Sequence, residues 1–275
     1  MLDLEKQYDN GARVPEFAQI LQKWQSDAAD YRSTAPCQLD LAYGGHERQK
    51  VDLFGTLEKR DEAKDKPMFV FIHGGYWRAL GRETFSHMAK GLNESGFPVL
   101  VPSYQLAPQA SIRDIILDLN LLCAWSWRRY GRKMVIAGHS AGGHLAAAML
   151  ATDWSEYDLP DDIVTAGLGI SGLYDLRPLI KTKLNESLQL DDADARNASP
   201  LQWPTPQGKK FQAWVGGDES EEFIRQSDTI AACWQGGGAR AQSVHVPNKN
   251  HFTVIDQLLD GNSDMVKALI GLANK

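Results

Sequence analysis

Between residues 16 and 31, Phe17, Ile20, Leu21, Trp24, Ala28 and Tyr31 recur at helical spacing and predict an amphipathic helix laid against the body of the protein. Two short strand-like runs follow, 37–43 and 50–55, and Gly44-Gly45 between them suits a hairpin. A polar stretch rich in Lys, Asp and Glu, 58–66, then leads into Pro67-Met68-Phe69-Val70-Phe71-Ile72. An apolar run without polar interruption belongs to a strand buried on both faces. Further strand patterns at 97–101, 133–137, 166–170, 211–215 and 242–246 alternate with other segments, among them helix-compatible stretches at 83–93 and 112–129. This order, opened by a hairpin, predicts an α/β fold with a mostly parallel sheet of about eight strands and helices on both faces, in one domain over 1–275. Residues 1–35 form its N-terminal helical extension. The stretch 171–209, mixed in character and carrying Pro200, Pro204 and Pro206, is expected to be a cap-like excursion of the kind that carries specificity.

Composition narrows the function classes. The chain has 275 residues, of which 43% are hydrophobic, enough for a large core. Its 29 basic and 35 acidic residues give a net charge of −6 without a block of like charge, which argues against nucleic acid or an anionic membrane as partner. The start lacks a signal-like apolar segment and no run approaches a membrane span, so a cytoplasmic protein is expected. Cys37, Cys123 and Cys233 are odd in number and far apart, which fits reduced thiols. The expected partner is a small-molecule substrate, bound by a monomer or homodimer.

The chemistry centres on Gly138-His139-Ser140-Ala141-Gly142, which joins an apolar strand to a helix-prone run. A serine on such a turn stands clear of its neighbours, and flanking glycines keep bulk away, so Ser140 is a candidate nucleophile. The base is expected to be His251, on the loop after the last strand and hence at the same sheet edge as Ser140. Asp218 and Glu219 follow the preceding strand; either carboxylate can accept the imidazole proton. In His73-Gly74-Gly75 the main chain can approach a ligand closely, and the N–H groups of Gly74, Gly75 and Ala141 are candidate oxyanion donors. His73 itself reads as a loop-fixing residue. His139 and His144, five apart, do not share a helical face, and neither His-Glu-x-x-His, Gly-x-Gly-x-x-Gly nor a Walker loop occurs, so no metal or cofactor is expected.

His73-Gly74-Gly75-Tyr76-Trp77 together with Gly138-His139-Ser140-Ala141-Gly142-Gly143-His144 resembles the α/β-hydrolase superfamily, in its kynurenine formamidase (arylformamidase) branch. Tyr8 to Glu16, Ser103-Tyr104-Gln105-Leu106-Ala107-Pro108, Ser171-Gly172-Leu173-Tyr174-Asp175-Leu176 and Glu222-Phe223-Ile224-Arg225-Gln226-Ser227 extend the likeness over nearly the whole chain. The resemblance places the catalytic acid on Glu219, where many members of the branch have Asp. It implies hydrolysis of N-formyl-L-kynurenine to kynurenine and formate in tryptophan catabolism, through a Ser140-His251-Glu219 triad and a formyl-enzyme. Tyr76, Trp77 and Tyr104 are then candidate walls for the aromatic leaving group. The competing expectations are a broad carboxylesterase for short acyl esters and a non-catalytic binding protein on a hydrolase scaffold, although no triad member is missing.

Overall fold

Strands without polar interruption need apolar cover on both sides, and the computed structural model, which describes residues 2–57 and 66–274, provides it. The strands are β1 (Cys37–Ala42), β2 (Lys50–Phe54), β3 (Met68–Ile72), β4 (Val99–Pro102), β5 (Met134–His139), β6 (Val164–Ile170), β7 (Lys210–Gly216) and β8 (Arg240–Val246). They form one eight-stranded sheet in the order β1-β2-β4-β3-β5-β6-β7-β8. The β1–β2 hairpin is antiparallel, with Cys37 opposite Phe54, and β2 also runs antiparallel to β4. The six remaining strands are mutually parallel. Thus the predicted α/β-hydrolase sheet is observed. The polar stretch at 58–65 lies outside the described residues.

Alternation along each inner strand divides the apolar residues between two cores. Met68, Val70 and Ile72 of β3 face one core, and Phe69 and Phe71 face the other. The first core is covered by the helices Ile112–Tyr130, Ala141–Ala151 and Glu221–Gly236, the second by Phe17–Thr34 and Asp264–Ala273. Each fully buried side chain of this size contributes about 1.5–3 kcal/mol, so the alternation fixes the register. Polar residues set the helix ends. Ser111 and Asp114 form a reciprocal capping box, Gly131 closes the same helix at φ 64°, and Ser220 caps Glu221–Gly236.

Two stretches depart from simple expectation. The helix-compatible run 83–93 is broken into Arg82–Phe85, a 3₁₀ turn Ser86–Ala89, and Lys90–Glu94. There the Ser86 hydroxyl donates back to the Arg82 carbonyl, a local bond that competes with regular helix. Residues 171–209 carry only short turns of helix, Arg177–Lys181, Asn185–Leu188, Asp192–Asn197 and Pro200–Gln202. Among the described residues no helix is long and apolar enough to cross a membrane.

Candidate active site

Ser140 sits where β5 gives way to the helix Ala141–Ala151, with φ 56° and ψ −118°, a conformation that L-residues rarely adopt. Close packing explains the two glycines around it. A Cβ at Gly138 would lie 2.1 Å from the Gly142 carbonyl oxygen, and one at Gly142 would lie 2.0 Å from the Ile72 carbonyl oxygen. The Ser140 N–H donates to the Ile170 carbonyl (2.7 Å), and its own carbonyl accepts from Gly143 and His144, starting the helix. The serine is thereby held at a helix N-terminus, where negative charge is favoured.

His251 lies in the turn after β8, shaped by Asn250, whose side-chain oxygen accepts from the N–H groups of Phe252 and Thr253 at 3.0 Å each. The imidazole is almost fully buried against Phe223, with ring centroids 4.6 Å apart, and its Nδ1 lies 2.7 Å from Glu219 Oε2. An ionised carboxylate only accepts, so Nδ1 carries the proton and Nε2 is left with a free lone pair. The other Glu219 oxygen accepts from Ser171 Oγ (2.5 Å) and the Gly216 N–H (2.7 Å). Glu219 is therefore buried with donors on both oxygens. Asp218, the other sequence candidate, is exposed and points its backbone N–H at the Lys249 carbonyl.

Gly74 and Gly75 follow β3. A Cβ on Gly74 would lie 3.0 Å from Ser140 Cβ and 2.9 Å from the His139 carbonyl, so the main chain itself abuts the serine. Gly75 adopts φ 110°, and a Cβ there would meet the Ala79 carbonyl at 2.3 Å. Among the described residues no backbone carbonyl accepts from the N–H of Gly74, Gly75 or Ala141, leaving three donors free near the nucleophile.

Three histidines brace this arrangement. His73 is sandwiched between Tyr104 and Phe85, both nearly parallel to it, and its Nδ1 donates to the Gly74 carbonyl (2.7 Å). Burial pushes its pKa down to about 3. His139 Nε2 donates to the His251 carbonyl (2.8 Å), and burial, reinforced by the neighbouring His251, holds its pKa well below the ordinary value. His144 Nε2 donates to the Ala198 carbonyl (2.6 Å) and its Nδ1 accepts from Trp77 Nε1 (3.3 Å); burial lowers its pKa to about 4. This ring ties residues 171–209 to the serine helix.

A cavity of about 440 Å³ opens onto Ser140, His251, Gly74 and Gly75. Phe17, Trp24, Phe85 and Phe252 give it aromatic walls, while Glu5, Asp9, Arg78, Lys183 and Glu186 add charge. Of the three aromatics expected from sequence, Tyr76 lines it and Trp77 and Tyr104 do not. Positive φ at both Tyr76 and Trp77 turns the loop, so that Trp77 is buried against His144. Tyr104 is buried on His73, with its hydroxyl donating to the His73 carbonyl (2.9 Å). The walls that sequence reasoning missed come from the N-terminal segment, Tyr8, Asn10, Phe17 and Trp24, and from Phe85 and Phe252. The spacing of Phe17 and Trp24, seven apart on one helical face, was the available signal.

Comparison with known proteins fits this geometry. Residues 69–254 match a family model described as alpha/beta hydrolase fold. A kynurenine formamidase of Salmo salar is 32% identical over 253 residues, covering 89% of this chain and 84% of that protein. A kynurenine formamidase of Danio rerio is 29% identical over 251 residues, with the same coverage. A crystal structure from a Silicibacter species, provisionally described as a thioesterase, superimposes with a TM-score of 0.86 at 34% identity, covering 98% of this chain and 100% of that one. The chain belongs to the α/β-hydrolase family, in its kynurenine formamidase-like branch.

Proposed function

We propose that this protein hydrolyses an aryl formamide, N-formyl-L-kynurenine, to kynurenine and formate. Ser140 Oγ attacks the formyl carbon while His251 Nε2 takes its proton. The oxyanion forms against the N–H groups of Gly74, Gly75 and Ala141, each such donor typically worth about 3 kcal/mol. As the C–N bond breaks, His251 returns the proton to the departing aryl amine, leaving a formyl ester on Ser140. Water, deprotonated by His251, then releases formate and regenerates the serine. Glu219 keeps the proton of His251 on Nδ1 and stabilises the imidazolium. Residues 1–35 serve as an N-terminal helical extension, and 171–209 as a cap-like excursion, of a single hydrolase domain.

The observation that carries this reading is the asymmetry of the cavity around Ser140. The glycine main chain pressed against the serine favours the smallest acyl group, and the aromatic walls favour an aryl leaving group. Lys183 and Arg78, opposed by Glu5, Asp9 and Glu186, suit the zwitterionic amino-acid end of kynurenine. Kinetics on N-formyl-L-kynurenine, its N-acetyl analogue and p-nitrophenyl acetate test the proposal. The formyl compound should exceed the acetyl compound in kcat/KM by about a hundredfold. A preference for the p-nitrophenyl ester by orders of magnitude would favour the second reading, a short-acyl carboxylesterase, which the thioesterase description of the Silicibacter structure keeps in view.

A further inference from the structure

Asn10 lies far from the catalytic residues in sequence, yet its side chain is buried at the boundary of two cavities that both reach His251. The larger is the substrate cavity. The smaller, of about 220 Å³, is lined by Arg13, Glu16, Asp218, Glu219 and Asn250 as well. Asn10 and the imidazole that must exchange a proton with the leaving group thus line the same two cavities.

The orientation of its amide follows from proton counting. The Tyr76 hydroxyl has one hydrogen, and it is committed to the Tyr8 carbonyl at 2.6 Å. Its oxygen can then only accept from Asn10, so the group 3.2 Å away is the Asn10 NH₂. The Asn10 carbonyl oxygen accordingly points away from Tyr76. Among the described residues it accepts no hydrogen bond, and it is not among the side-chain atoms fully sealed from solvent. Tyr76 is itself fixed, because Tyr8 is anchored by its hydroxyl to Glu222 Oε2 (2.7 Å) and accepts from Gln226 Nε2 (3.2 Å). The result is a buried, oriented acceptor with no partner among the described residues.

Resting on the aryl formamide reading above, we infer that Asn10 is a specificity-determining residue whose side-chain oxygen accepts the N–H of the scissile formamide. When an amide is cleaved, its nitrogen pyramidalises and its new lone pair must face the protonated base; the N–H must then point elsewhere. An acceptor in the cavity that the base also lines stabilises that geometry, and it does so in the transition state rather than in the bound ground state. An ester presents an oxygen at the same position, which has no hydrogen to donate and leaves the buried acceptor unmet. Asn10 therefore selects amide over ester.

The test compares kcat on formanilide, in which no neighbouring carbonyl competes for the N–H, with kcat on phenyl acetate. It uses the wild type, Asn10→Leu and Asn10→Asp, with labelling of Ser140 by a fluorophosphonate reporting that each site is assembled. The formanilide to phenyl acetate ratio should fall about tenfold in Asn10→Leu, the worth of one buried hydrogen bond. The loss should appear in kcat more than in KM, and Asn10→Asp, which keeps an acceptor but loses the donor to Tyr76, should recover part of it. Equal losses on both substrates, or an unchanged ratio, would overturn the inference while leaving the formamidase reading intact. Absence of formanilide and N-formylkynurenine turnover in the wild type would overturn both.

Discussion

Replacing Glu219 by Gln exchanges one carboxylate oxygen for an NH₂ group, and the structure dictates how the new amide must sit. One oxygen of Glu219 accepts from the Gly216 N–H (2.7 Å) and Ser171 (2.5 Å), the other from His251 Nδ1 (2.7 Å). A main-chain N–H cannot become an acceptor, so the Gln oxygen must face Gly216 and its NH₂ must face His251. Imidazole then accepts at Nδ1 and carries its proton on Nε2, where it can no longer take one from Ser140. A wrong tautomer of this kind, with geometry intact, costs about 10⁴ in kcat in serine proteases, or about 5 kcal/mol of transition-state stabilisation. We expect Glu219→Gln to lose on the order of 10³–10⁴ in kcat on N-formylkynurenine. KM should change little and the melting temperature should stay near that of the wild type. Asp218→Asn, altering an exposed carboxylate, is expected to stay within about threefold, because surface substitutions away from the site have small effects. Stopped-time assays at saturating substrate, with a melting curve for each variant, provide the comparison. A Glu219→Gln enzyme within tenfold of wild type, or an Asp218→Asn enzyme equally impaired, would show that Glu219 does not hold the tautomer.

Three further outcomes follow from packing and charge. Gly142→Ala should destabilise the fold by about 3 kcal/mol or more in urea titration, because its methyl would meet the Ile72 carbonyl at 2.0 Å and the His73 carbonyl at 2.7 Å, and neither is a side chain that can rotate away. Tyr8→Phe should cost about 1.5 kcal/mol through the lost bond to Glu222 and raise KM, since Tyr8 holds the carbonyl on which Tyr76 rests. Stability should be highest at neutral pH and fall between about pH 6.5 and 4. Burial lowers the pKa of His87 and His144 to about 4 and of His73 to about 3, so in that window the unfolded chain binds protons that the folded chain refuses. Each such histidine subtracts up to about 1.4 kcal/mol per pH unit until its folded pKa is passed. A urea midpoint independent of pH from 7 to 5 would contradict this.

The central sheet was legible because its information is local. Val70 and Phe69 each announce a buried strand, and only the division of alternate residues between two cores had to come from three dimensions. Ser140 and His251 were legible for a related reason, since both occupy loops at the same edge of a parallel sheet. The choice between Asp218 and Glu219 needed the family resemblance, because adjacent carboxylates differ only in which way the turn throws them; Glu219 is the one turned inward, onto His251. The aromatic walls were read less well. Trp77 and Tyr104 flank motif residues in sequence, but left-handed backbone at Tyr76 and Trp77 is not encoded by residue types that usually adopt it. The short turns at 177–202 were also hidden, because helices of three to six residues are too brief to leave a periodic pattern and depend on tertiary contacts.

The anchoring of Tyr8 has a consequence for how activity arises during synthesis. Its hydroxyl partners, Glu222 and Gln226, lie 214 and 218 residues further along. Contacts of such separation are slow to close and cannot exist until nearly the whole chain has emerged. The segment carrying Asn10 therefore docks only after β7, the Ser140 elbow and the helix Glu221–Gly236 are in place to receive it. A nascent chain that has released the Ser140 elbow but not residues 219–251 therefore holds the nucleophile without its acid, its base or the wall that Tyr8 anchors, so an exposed serine is not yet competent toward a small, reactive acyl group.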